Sequence, residues 1–101
     1  MRVVLNKCHG GFEISERCAE FLRVHGWDVT ANEVNYEYDL DDQKYLRTHP
    51  MLIRAIEELG KSAWNEDVSD LKIIEVPNEV NWHIEDYDGE EWVAEDHRTW
   101  S

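Results

Sequence analysis

The hydrophobic and polar positions fall into blocks that predict a short series of strands and helices. Val3-Val4-Leu5 is a fully apolar, β-rich run, the pattern of a buried strand. It gives way to Asn6-Lys7-Cys8-His9-Gly10-Gly11, a polar turn with two glycines. Ile14, Cys18, Phe21 and Leu22 then recur at helical spacing and define one face of a helix, which Gly26 ends. Val34, Tyr36 and Tyr38 alternate with polar residues and predict a half-exposed strand, broken by a loop at Asp39-Leu40-Asp41-Asp42. A second helix starts at Pro50, with His49 or Thr48 as its cap, turns Leu52, Ile53, Ile56 and Leu59 inward, and stops at Gly60. Glu57 and Glu58 sit near its C-terminus, against the dipole preference, so packing must hold it.

Leu71 to Val76 is another β-rich run, stopped by Pro77-Asn78. Alternation at Val80, Trp82 and Ile84, and again over Trp92 to Glu95, predicts strands at about 80–86 and 90–96. Asp86-Tyr87-Asp88-Gly89 joins them, and Asp-Gly is a strong hairpin signal. The predicted order is β-α-β-α-β-β-β. It implies a single small α/β domain over residues 1–101, with a mixed sheet, a C-terminal β-hairpin and two helices packed on the sheet.

Charge sharpens this picture. The 101 residues hold 23 acids and 10 bases, a net charge of −13. The bases and acids balance over residues 1–30, whereas residues 61–101 hold 12 acids against 3 bases. Such a balance argues against direct nucleic-acid binding or an anionic membrane surface, since both need Lys/Arg density. No stretch approaches the ~20 apolar residues of a membrane span, and the N-terminus turns polar at Asn6-Lys7, too early for a signal peptide. Two cysteines, Cys8 and Cys18, are too few for a disulfide framework, so reduced thiols in a cytoplasm are expected, with Cys18 buried on its helix.

The glycine turn is the anion-friendly spot on this acidic chain. A strand running through Gly10-Gly11 into a helix would aim backbone N–H groups at a phosphate or carboxylate, with Lys7 adding a full charge. A tight turn explains the two glycines equally well. The run from Val3 to Val29, through His9, Gly11, Phe12, Glu13, Gly26 and Val29, resembles the opening βαβ unit of B-type ribose 5-phosphate isomerases. Cys8 stands where that family has aspartate, and its later cysteine loop and phosphate loop have no counterpart. The resemblance therefore implies a shared helix start rather than isomerase activity. A second resemblance spans more of the chain. The Asn6-to-Phe12 turn, Arg47-Thr48-His49-Pro50, Glu58-Leu59-Gly60, Leu71 to Pro77 and the ending from Tyr87 to Trp100 are similar to a group of small phage and prophage proteins of unassigned function. That implies a bacterial or viral cytoplasmic setting and a role in interference with a host or its defences.

Other constellations carry less. Asp86, Asp88, Gly89 and Glu95 occupy calcium-loop places, but Ile84 stands at the first and the flanks read as strand. The five histidines show no zinc spacing with cysteine. Adjacent Cys8 and His9 in a turn send their side chains different ways, so no catalytic residue, metal or cofactor is assigned. Trp82 and Trp92 are expected to meet across the hairpin, one of them in the core. Trp100 either tucks back under Arg98 or anchors a partner or a second copy of the chain.

Two readings result. In the first, the chain is a non-enzymatic acidic module that docks on a basic surface of a host or bacterial defence protein through Glu85, Asp86, Tyr87, Asp88, Glu90, Glu91, Trp92 and Trp100; a homodimer stays open. In the alternative, Asn6, Lys7, Cys8, His9, Gly10 and Gly11 bind a phosphorylated nucleotide or sugar phosphate, as a ligand-binding protein or a minor enzyme.

Overall fold

A computed structural model describes residues 1–95. Its elements are β1 (Arg2–Asn6), α1 (Glu16–Val24), α2 (Ala31–Asn35), α3 (Leu40–Arg47), α4 (Pro50–Leu59), a 3-10 turn (Gly60–Ala63), β2 (Leu71–Glu75), β3 (Trp82–Tyr87) and β4 (Glu90–Glu95). The strands form two small antiparallel sheets, β1 with β2 and β3 with β4. The class is broadly α/β, as expected. The expected mixed sheet is not formed, because every strand pairing among the described residues is antiparallel.

β1 is the wall on which everything else is built. Successive side chains of a strand point to opposite faces, and those of β1 bury both. Val4 joins a cluster with Cys18, Leu22, Leu52, Ile53, Ile56 and Leu71. Val3 and Leu5 join another with Val76, Trp82 and Ile84. The β1–β2 pair therefore separates a helical core from a hairpin core. That is why the run is apolar at every position rather than at alternate ones.

The helices follow local chemistry. Ser15 caps α1 by accepting from the Cys18 N–H, and the buried face is Cys18, Ala19 and Leu22. Burial pushes the Cys18 thiol up to about 12, so it stays neutral. In α4, His49 caps, Pro50 takes the first position, and Leu52, Ile53, Ala55 and Ile56 are buried. The two glutamates at its C-terminal end are paired, Glu57 with Arg2 and Glu58 with Arg54, which offsets the dipole mismatch.

Residues 31–47 depart from expectation. The predicted strand over Val34, Tyr36 and Tyr38 is instead α2 and the segment after it. The predicted loop at 39–42 is the start of α3. Capping decides both. Thr30 and Glu33 form a reciprocal capping box, and Asp39 accepts from the N–H groups of Asp41 and Asp42. The βαβ unit implied by the isomerase resemblance is also absent. α1 leads to α2, and the strand beside β1 is the antiparallel β2.

His49 is expected to make stability depend on pH. Its Nδ1 accepts from the Met51 N–H at 3.1 Å, and its ring lies on Trp27, 3.7 Å between centroids. Desolvation lowers its pKa below the ordinary 6.5. The unfolded chain therefore takes up the proton first. Stability from this group is present above pH 6.5 and is lost as pH falls from there through the lowered native value. Thermal melts between pH 7 and pH 5 should show a decline that is shallower in His49→Asn, which keeps a cap acceptor but does not titrate. An identical decline in both proteins would contradict this.

Candidate functional site

The β3–β4 hairpin turns through Asp88 and Gly89, both at positive φ (51° and 90°), the backbone a two-residue hairpin turn of matching twist requires. Its register sets Glu85 opposite Trp92 and Tyr87 opposite Glu90. Strand alternation puts these four residues on one face, with His83 and Ala94, and puts Trp82, Ile84, Asp86, Glu91 and Val93 on the other. Trp82 is buried with Val3, Leu5 and Val76. Trp92, opposite Glu85, is 42% exposed and Tyr87 is 70% exposed. The two tryptophans thus lie on opposite faces and do not meet. Trp82 is the core member of the pair.

Of the residues expected to meet a partner, Glu85, Asp86, Tyr87, Asp88 and Trp92 are exposed and Glu90 is half-buried. His83 Nε2 stands 3.1 Å from Glu85, and Lys7 and His9 stand 4.0 and 3.8 Å from Glu90. Asp86 does not belong with them: it lies opposite Glu91, on the other face of the hairpin, and Asp88 stands at the turn. The outer face thus offers two aromatic rings among carboxylates that are at most partly balanced. Trp100 lies outside the described residues.

Glu91 does not belong to that surface. It is 7% exposed and forms a two-point pair with Arg47, Oε1 with Nη1 at 2.6 Å and Oε2 with Nη2 at 2.9 Å. Oε1 also accepts from the Asn6 N–H at 2.9 Å. The Arg47 guanidinium donates to the Val4 carbonyl and lies 3.5 Å from the centre of the Phe12 ring. A buried carboxylate needs such compensation. With both oxygens engaged, Glu91 acts as a clamp between α3, β1 and β4.

The glycine turn is held in place by packing. Asn6 is fully buried; its Nδ2 donates to the carbonyls of Cys8 and Gly89, both at 2.7 Å, and its Oδ1 accepts from the Asp70 N–H. A β-carbon on Gly10 would lie 2.1 Å from the Val68 carbonyl oxygen. One on Gly89 would lie 2.6 Å from both Gly11 N and His9 O. The turn is thus pressed against the segment before β2 and against the hairpin tip. Nor does it open the helix: Phe12–Ser15 intervenes, Ile14 bridges to Trp64, and α1 starts at Glu16 with its own cap. The expected convergence of the Gly10 and Gly11 N–H groups with a helix N-terminus therefore does not occur. Lys7 Nζ donates to the Glu91 carbonyl. Cys8 is half-buried, beside a depression shared with Lys61, Trp64 and Lys72.

Among the described residues, no group of three or more His, Cys, Asp or Glu side chains is placed to hold a metal ion, and no helix is long and apolar enough to cross a membrane. Comparison with protein-family models, with curated proteins and with solved structures finds no match to this chain.

The sequence pattern concealed one further surface. Tyr36, Tyr38, Leu40 and Tyr45 are all exposed, at 57, 81, 53 and 61%. They lie along the α2–α3 stretch of the chain, which also holds Glu37, Asp39, Asp41 and Asp42. The Thr30-x-x-Glu33 spacing and the Asp39 cap are the signals that would have revealed it.

Proposed function

We propose that this protein is a non-enzymatic acidic binding module that docks on a basic surface of a partner protein. The observation that carries the reading is the outer face and tip of the hairpin, where Tyr87 and Trp92 stand exposed among Glu85, Asp88 and Glu90. Exposed aromatic side chains on a rigid two-stranded scaffold are typical anchors of protein interfaces. Surrounding carboxylates add long-range attraction toward a cationic surface. The resemblance to phage and prophage proteins supports a cytoplasmic setting in an infected bacterium, with a host or defence component as the partner. A phosphate-type ligand at residues 6–11 is the less favoured reading, because Val68 and Gly89 are packed against that turn.

The test is quantitative capture from bacterial lysate on immobilised protein, against a variant carrying Glu85→Lys, Glu90→Lys and Tyr87→Ala. The wild type should retain a basic protein that the variant loses by about tenfold or more, and raising the salt from 50 to 200 mM should weaken the capture. Equal retention by the two proteins, or capture indifferent to salt, would remove the hairpin from the account.

A further inference from the structure

A second, independent site stands where α2 and α3 meet the segment after α1. Trp27 is fixed by its stack on His49, with 7° between the ring planes. Tyr45 stands nearly perpendicular to Trp27, at 87° and 6.4 Å between centroids, and to His49, at 89° and 5.5 Å. The two rings make a corner. With Tyr36 they line a depression of about 360 Å³, and Glu33, Glu37 and Asp42 share the lining. No lysine or arginine of the described chain lines it. The two cations of α3 are directed elsewhere, Lys44 over the Trp82 ring and Arg47 to Glu91.

The carboxylates retain capacity for a ligand. Glu33 uses Oε1 on the Thr30 N–H and Glu37 uses Oε1 on the Asp39 N–H, so each keeps its second oxygen. The negative charge of Asp39 first, then desolvation, Glu37 and Asp41, raises the pKa of the Asp42 carboxyl. Like charges are crowded here, and an incoming cation would relieve them. Aromatic faces attract cations, and a flat guanidinium can lie on a ring while its edge N–H groups reach carboxylates; a lysine ammonium is more strongly hydrated and has no such plane.

We propose that this corner is an arginine-binding pocket, in which a guanidinium presented by the partner's basic surface lies against Trp27, Tyr36 and Tyr45 and donates to Glu33, Glu37 or Asp42. The inference rests on the reading of a basic protein partner, but its test needs no partner. The isotope-labelled protein is titrated with a blocked hexa-arginine peptide, a blocked hexa-lysine peptide and spermidine, and the tryptophan indole and backbone resonances are followed by NMR.

The arginine peptide should shift Trp27 and the α2–α3 resonances, and bind about fivefold more tightly than the lysine peptide. Tyr45→Leu and Glu37→Gln should each weaken it several-fold; the second keeps the cap acceptor for Asp39, so it carries the test if the first disturbs the fold. In the Tyr87→Ala/Trp92→Ala protein the peptide should still shift the Trp27 and α2–α3 resonances as in the wild type. Equal affinity for arginine and lysine, shifts confined to the hairpin, or tighter saturation of the same resonances by spermidine would each overturn the pocket. Peptide binding at α2–α3 with no loss of lysate capture in the hairpin variant would retain the pocket and reject the hairpin. The converse result would retain the hairpin and reject the pocket.

Discussion

Glu91→Ala is expected to lower folding stability by about 3–5 kcal/mol, the range found when one partner of a buried ion pair is removed. Arg47 is 5% exposed, and without Glu91 its charge would remain buried with only the Val4 carbonyl and the Phe12 ring beside it. The Asn6 N–H would lose its acceptor as well. Domains of this size have about 5–15 kcal/mol of stability in total, so the variant should lose a large fraction of it. Glu91→Gln separates charge from shape, since it keeps the volume and one acceptor oxygen but removes the negative charge. It should still cost a large fraction of the alanine effect. The double variant Arg47→Met/Glu91→Leu should recover much of the loss, because neither charge is then stranded. It should not recover all of it, since the Asn6 N–H stays unpaired at about 1–3 kcal/mol. Urea unfolding followed by tryptophan fluorescence reads all three. A midpoint for Glu91→Ala within error of the wild type would mean that the clamp carries no stability.

The same pair shows where sequence patterns stop being informative. Alternation along β4 fixes which residues share a face, but does not say which face is inner. Trp92 is the larger apolar residue, yet it is Val93 and Glu91 that share the inner face with Trp82 and Ile84. An acid is tolerated inside only because Arg47, on a helix 44 residues earlier in the chain, reaches it. Nothing in the local pattern announces such a partner. The hairpin, α4 and the β1 run were legible because their signals are local: Asp88-Gly89 at the turn, Pro50 at a helix start, three consecutive apolar residues in β1. α2 and α3 were not. In α2 the alternation of Val34, Tyr36 and Tyr38 imitates a strand while only Val34 is buried in the core. In α3 the acid-rich opening reads as loop unless the Asp39 cap is weighed. The cost of missing α3 was functional as well as architectural, since Tyr45 and Asp42 belong to the aromatic corner and Arg47 to the clamp.

Gly10→Ala is expected to destabilise the protein by about 1–3 kcal/mol or more, the usual penalty for forcing a methyl into packed structure. The added carbon would lie 2.1 Å from the Val68 carbonyl oxygen and 2.6 Å from the Val68 Cα. Both are backbone atoms, so no side-chain rotation can make room, and the turn itself must shift. That movement would pull on the contacts anchored beside it: Asn6 to the Cys8 and Gly89 carbonyls, Ser69 Oγ to the Gly11 carbonyl, and Lys7 N–H to the Asp70 carbonyl. Gly11 provides the comparison. A β-carbon there meets nothing within 4 Å, but its φ of +120° disfavours any side chain, so Gly11→Ala should cost about 1–3 kcal/mol through backbone strain. A β-branched residue at Gly11 would be worse, which makes it a poor probe of ligand binding. Paired thermal melts with and without nucleotide or sugar phosphate separate architecture from recognition. If packing is the reason for the glycines, both variants melt several degrees lower and no added phosphate compound changes the wild-type midpoint. A Gly10→Ala protein as stable as the wild type, together with a ligand-induced rise in the wild type alone, would instead make the turn a cradle for an anion.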